Sequence, residues 1–472
     1  MTLTGALSEL AINTARDALE GPPRLAARRM TLDALACALA GWDAPGVGEV
    51  VDQVRAWGGA EEASLLIHGD RLPAPNAAFA NSAMVHALDY DDVHIPGTLH
   101  IMSVVLPAAL AAAEMAEATG RELLDAVTIG VEVAARPAIW CKGHPKRPLS
   151  HAILPTSVFG GFGAVAAAAR LRGLSTEQCV NAMGLFYAQA SGNRQALHDR
   201  TLAKRLQPGF AAQSALWATA LATCGVTGPS EALEGESGLL PACYECEPPT
   251  AEELMIGRAR WEIERVSVKR HTSCGSCHPC LHAAERLREE QRLSPGEIAR
   301  VEVFGHRAGG FVSKPLEFSR DPQVAAQFSV QYCVAYALLR GPQRLEDWTD
   351  AAILADTQVA DLARSVTFAD VPDDAPDPLP LPADFPPNTI GWQGVIVHTT
   401  DGRRLMRAEC PAEVFAPDAV SEDDLRVKFH RCAEFSGLRD ATRAQTLLAS
   451  VESLARGTPA HELLRPWWSL AD

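Results

Sequence analysis

The chain has no excess of basic charge, no apolar run long enough to span a membrane, and no internal repeat. Its opening residues lack the basic, apolar and cleavable regions of a secretion leader. Each absence removes a class of function. With 58 acidic against 42 basic residues, the net charge of -16 argues against nucleic acid or an anionic membrane as the main partner. A local pocket of Lys, Arg and His can still hold a small anion. Residues 1–21 read as an amphipathic helix carrying Glu9, Asp17 and Glu20. The twelve cysteines are scattered, several in apolar helical surroundings, which predicts reduced thiols and a cytoplasmic protein. Gly161-Phe162-Gly163-Ala164-Val165-Ala166 spells a dinucleotide fingerprint. The strand it requires would contain Pro155, and no βαβ alternation surrounds it, so close packing of small residues explains it better than a nicotinamide cofactor.

What is present is mostly helix. At 472 residues the chain exceeds one ordinary core, so two domains are expected. Helical patterning runs from the start to about Trp261, with Phe159 to Leu171 and Phe210 to Cys224 so poor in charge that they should be buried on most sides. After Ile263 strands appear: Ile298 to Phe304, Ser365 to Phe368, and a hairpin of Gly394 to Thr399 and Arg404 to Ala408 about an Asp401-Gly402 turn. The Pro-rich stretch Val371 to Asn388 should be a surface loop, and Ser421 with Asp424 forms a capping box that starts another helix. The predicted class is mainly α. A large all-helical domain (residues 1–265 and 405–472) holds an inserted, smaller α+β lid domain (residues 266–404).

The densest acid-base stretch is Leu88-Asp89-Tyr90-Asp91-Asp92-Val93-His94-Ile95-Pro96-Gly97-Thr98-Leu99-His100, set between two apolar helical segments. Asp and His are the side chains most easily tuned toward neutral pH, so catalysis competes here with the plainer reading of an Asp-capped helix end. Lys204, at the entry to the apolar helix from Phe210, opposes the helix dipole and so suggests a carboxylate ligand, or else is a solvated neighbour of Arg205. Lys269-Arg270-His271-Thr272-Ser273-Cys274-Gly275-Ser276-Cys277-His278-Pro279-Cys280 has two readings. Cys274, Cys277 and Cys280 have iron-sulfur spacing, with Cys243 and Cys246 upstream, but no fourth Cys-Pro follows. Otherwise Lys269 and His278 belong to an active-site loop with the thiols as neighbours. Tyr332, at helical spacing, is by default a core residue.

Together these segments resemble the MmgE/PrpD family, which includes 2-methylcitrate dehydratase, cis-aconitate decarboxylase and iminodisuccinate epimerase. The resemblance runs through Ala77 to His100, Leu106 to Leu110, Gly160 to Leu171, Lys204 to Pro229, Lys269 to Pro279, Phe328 to Gly341 and Lys428-Phe429. It implies a helical domain with an α+β lid, an active site between them, a homodimer, and no metal or organic cofactor. By position, Asp89 matches the first aspartate of the family's L-D-F-D-D motif, and His100 the histidine closing that loop. Lys204 matches the family's lysine before its G-x-A-A helix, Lys269 the lysine opening its lid, His278 the histidine of its H-P pair and Tyr332 its lid tyrosine, which lifts Tyr332 above the core default. Two positions depart from the pattern: Val93 replaces a threonine, and Leu154 stands where the family has a histidine, with His151 three residues earlier.

The implied chemistry moves a proton on carbon next to a carboxylate. Asp89, His100, Lys204, Lys269 and Tyr332 are the expected catalytic residues, with His100 as acid or base oriented by Asp89. His94, His151, Lys204, Lys269, Cys274 and His278 are the expected substrate contacts. The leading expectation is a cofactor-independent dehydratase or decarboxylase acting on a small anionic di- or tricarboxylate. The alternatives are a two-base epimerase and a cysteine-based metal-binding or redox-sensing protein.

Overall fold

The computed structural model describes residues 1–143, 152–256, 260–306, 310–318, 320–375 and 392–469. Contacts divide the chain into two compact units, one of residues 1–194, 205–268 and 420–472 and the other of residues 195–204 and 269–419. The chain is mainly α, and among the described residues no helix is long and apolar enough to cross a membrane.

The first unit is helical. Its principal elements are α1 (Pro22–Gly41), α2 (Ala74–His86), α3 (Met102–Met115), α4 (Gly120–Gly143) and α5 (Pro155–Leu171), followed by α6 (Ala203–Thr223), whose first residues belong to the other unit. Helix α5 is buried along nearly its whole length because its residues are small and carry no charge before Arg170. A Cβ added at Gly163 would lie 2.3 Å from Gly130 O of α4, and one at Gly161 would overlap the Phe186 ring. The glycines of the fingerprint-like run are therefore there to let helices approach closely.

Helix α6 departs from expectation at its start. It begins at Ala203, so Lys204 lies in its first turn rather than ahead of it, and Pro208 is accommodated inside. It is buried over most of its surface, but one stripe is left open, with Phe210 and Trp217 46% and 53% exposed. Absence of charge identified an apolar helix but did not reveal which side is covered.

The second unit is α+β. Strands β1 (Ile298–Phe304), β2 (Thr367–Ala369), β3 (Gln393–Thr399) and β4 (Arg404–Glu409) form a sheet ordered β2-β1-β3-β4. Only β1 and β2 run parallel; Val301 pairs with Val397 and Val303 with Val395 across the antiparallel centre. Helices α7 (His278–Glu290) and α8 (Val330–Arg340) contribute Leu281, Ala284, Cys333, Tyr336 and Leu338 to a core shared with those valines. The β3–β4 turn is the anticipated Asp-Gly turn, with Gly402 at φ 89°. Most of the Pro-rich stretch, residues 376–388, lies outside the described residues. In the first unit, α9 (Glu422–Phe435) starts at the expected Ser421/Asp424 capping box.

Candidate active site

The segment from Asp89 to His100 joins α2 to α3 and is held from several sides. Asp92 caps α3: its two carboxylate oxygens accept the Ile101 and Met102 N–H groups at 2.9 and 3.0 Å. The helix-cap reading of this stretch falls on Asp92. Burial and the neighbouring Asp91 charge push the Asp92 carboxyl up, against those two N–H bonds. Val93 pairs with Ser267 through two main-chain hydrogen bonds of 2.9 Å, and Ser267 precedes Lys269 by two residues.

Asp89 is buried and sits at φ 51°, a left-handed conformation costly for a residue with a Cβ. Its carboxylate belongs to a compact group with His86 and Asp91, whose nearest ligand-type atoms all lie within 4.8 Å of one another. Within that group His86 Nδ1 donates to Asp91 Oδ2 at 2.7 Å. The His86 ring lies 5.2 Å from the His100 ring. His100 is half-buried, and its Nδ1 donates to the Asp92 carbonyl at 2.7 Å, which directs proton exchange to Nε2. The main-chain carbonyl of Asp92 fixes this tautomer. The His100 N–H donates to Thr156 Oγ1 at 3.1 Å, tying the histidine to the first turn of α5.

His94 is placed differently. Its Nδ1 accepts the Gly97 N–H at 3.1 Å and its Nε2 donates to Glu262 at 2.9 Å, so both ring nitrogens bond within the protein. Burial holds its pKa down despite Glu262, consistent with a neutral ring. Glu262 also meets Arg265 at 3.1 Å and accompanies a second buried pair, Glu132–Arg136 at 2.7 Å. Leu154 is buried at the N-cap of α5, where no side chain caps the helix. His151 lies outside the described residues.

Two buried charges missed by sequence reasoning fix the start of the loop. Lys428 of α9 meets Asp33 of α1 at 2.6 Å, donates to the Tyr90 carbonyl at 2.8 Å, and stands 3.9 Å over the Tyr90 ring. Burial alone would lower the Lys428 pKa; the Asp33 carboxylate more than offsets that and raises it. Asp33 had a readable signal, a lone carboxylate inside an apolar helical run, because such a group needs a partner. Lys142 of α4 donates to the Ile95 carbonyl at 2.6 Å.

In the second unit, Lys204 and Cys274 lie beside Gln327-Phe328. Lys204 is buried with Nζ 5.0 Å from the centre of the Phe328 ring. Cys274 N–H donates to Gln327 O at 2.9 Å, and the Gln327 amide donates to Thr272 Oγ1 at 3.2 Å. Lys269 is fully buried. His278 donates through Nε2 to Ser273 O at 3.1 Å and stacks on Phe415. Tyr332 is packed edge-on between Phe318 and Trp348 in the apolar core, the environment of its default reading. Cys277, Cys280 and Cys333 share that core, and burial pushes the Cys277 and Cys280 thiols up. Among the described residues the group with metal-ligand spacing is His86, Asp89 and Asp91, and the cysteine run forms none.

A helical frame presenting a strained aspartate and oriented imidazoles carries the side-chain types that acid-base chemistry uses. The MmgE/PrpD N-terminal domain matches residues 5–252, and the MmgE/PrpD C-terminal domain matches residues 271–453. The chain belongs to the MmgE/PrpD family and is a lyase. It is similar to the cis-aconitate decarboxylase-like protein oryM of Aspergillus oryzae, 25% identical over 93% of this chain and 91% of that protein. It is also similar to cis-aconitate decarboxylase of Aspergillus terreus, 27% identical over 77% of this chain and 78% of that protein. The cis-aconitate decarboxylase of Homo sapiens is 29% identical over 65% of this chain and 63% of that protein.

Proposed function

We propose that the protein decarboxylates or dehydrates a small tricarboxylate of the cis-aconitate kind without a cofactor. The observation carrying the proposal is the tautomer of His100, whose Nδ1–H is committed to the Asp92 carbonyl so that Nε2 handles the substrate proton. In the decarboxylation, the carbon–carboxylate bond breaks, carbon dioxide leaves, and the electron pair delocalises toward a neighbouring carboxylate. His100, entering this step as the imidazolium with Nδ1–H held by the Asp92 carbonyl, then delivers its Nε2 proton to carbon and is left neutral. Lys204, Lys269 and His278 supply the positive charge that holds the carboxylates and stabilises the developing charge. Asp89, His86 and Asp91 keep the loop and its imidazoles in register. Asp89 stays a catalytic candidate by its strained, buried position. Cys274 and His151 are proposed as substrate neighbours, and His94 as a support of the loop. Tyr332 is assigned to packing on the ground of its aromatic surroundings. The proposal includes a homodimer, to be read by light scattering of the purified protein.

The test is incubation of the full chain with cis-aconitate in heavy water, followed by proton spectra and carbon dioxide capture. A five-carbon unsaturated dicarboxylate with one deuterium from solvent supports decarboxylation. Hydration or dehydration products without carbon dioxide support the dehydratase. Deuterium exchange with neither loss moves the enzyme to the epimerase class, and no reaction across a polycarboxylate panel overturns the proposal.

A further inference from the structure

Behind His278 lies a pair of titratable groups that the proposed chemistry leaves unused. His271 Nε2 is 3.6 Å from Glu285 Oε2, with the two side chains only 7% and 16% exposed. The His271 ring meets the His278 ring edge to face, with centroids 5.2 Å apart and planes at 80°. The His278 ring stacks on Phe415 at 5.1 Å, and its Nε2–H is taken by Ser273 O at 3.1 Å. Glu285, His271 and His278 therefore form a continuous row inside the second unit.

The row has a chemical consequence. With Nε2–H committed to a main-chain carbonyl, His278 can donate to a carboxylate only if Nδ1 is also protonated, making the ring a cation. A buried cation needs a nearby counter-charge. Arg270 and Glu289 face Glu285 with opposite signs, and the Gln343 main chain donates to it. Burial, the largest influence, pushes the Glu285 pKa up to about 7, so the carboxylate is ionised above neutral pH. His282, one turn beyond His278, faces Glu409 of β4 at 3.6 Å, with Arg286 also near that carboxylate.

We propose that Glu285 is a positioning residue: through His271 it supplies the counter-charge that keeps His278 protonated toward an anionic substrate. This rests on the reading that His278 holds a substrate carboxylate.

The experiment uses the full-length enzyme labelled on its histidines, with the imidazole signals titrated by nuclear magnetic resonance alongside steady-state kinetics on cis-aconitate. In Glu285→Gln the apparent pKa of His278 should fall by about one unit, which is about tenfold in its charged fraction above neutral pH. KM at pH 8 should rise about tenfold with kcat changed less than about twofold, and the gap should close below about pH 6 as bulk protons charge His278. His271→Phe keeps the ring contact but cuts the link to Glu285, and should reproduce both effects. Unchanged His278 titration in both variants overturns the proposal. If His278 titration shifts while His278→Gln leaves KM unaltered, the counter-charge stands and the substrate role of His278 is lost. A titration failure and a substrate-reading failure are thus told apart.

Discussion

Replacing Lys428 by methionine tests how the Asp89–His100 loop is held. The substitution keeps the side chain's length and removes the ammonium that meets Asp33 at 2.6 Å and donates to Tyr90 O at 2.8 Å. Asp33 is fully buried, so an uncompensated carboxylate remains, at a cost of about 3–5 kcal/mol. The lost hydrogen bond to Tyr90 adds about 1 kcal/mol. Removing the charge on both sides, in Asp33→Asn/Lys428→Met, leaves no buried ion. The double variant should therefore be more stable than Lys428→Met by about 2–3 kcal/mol. Urea unfolding of the four proteins, followed by helix content, measures the cycle. Because Lys428 binds the main chain of the Asp89–His100 loop, Lys428→Met should also lose turnover under conditions where it remains folded. A cost below about 1 kcal/mol, or strictly additive single effects, refutes a mutually compensating buried pair.

Other outcomes are equally concrete. His100→Gln should lower kcat by about 10²–10⁴-fold with helix content unchanged; wild-type turnover removes His100 from proton transfer. Tyr332→Phe should leave kcat/KM within about threefold, because its ring packs between Phe318 and Trp348; a loss of about 100-fold restores a catalytic hydroxyl. Burial lowers the Lys142 pKa from 10.5 to about 8. The unfolded chain then binds more protons between those values, so this group's contribution to stability rises as pH increases across that window. Lys142→Met should flatten that rise by up to about 3 kcal/mol in denaturation series from pH 7.5 to 10.5, and an identical slope in both proteins contradicts it.

Local chemistry made much of the fold legible. Alternation marked β1, the Asp401-Gly402 turn identified the β3–β4 hairpin, and the Ser421/Asp424 box marked the start of α9. The Asp89–His100 stretch declared itself by its density of titratable groups. What stayed hidden depends on contacts distant in the chain. Lys428 and Asp33 are 395 positions apart, and neither helix's periodicity names the other as partner. The tautomer of His100 is set by a main-chain carbonyl, and no side-chain pattern encodes that. His94 resembled a substrate contact because its type suits one, whereas its environment is fixed by Glu262, far along the sequence. The C-x-x-C spacing suggested a metal, but winding into α7 sends Cys280 toward the carbonyls of Phe304 and Gly394 at the sheet. The exposed side of α6 was unreadable because an uncharged helix looks alike whether covered or bare.

His100 and Lys269 are proposed to serve one reaction on one carboxylate substrate. A kinetic double-mutant cycle with His100→Gln and Lys269→Met tests it most directly, using kcat/KM on the substrate that the product assay selects. Residues acting as a unit are strongly non-additive, so each single change should cost at least about 100-fold and the double variant little more than the worse single one. Full activity in Lys269→Met, or losses that simply multiply, contradicts the claim.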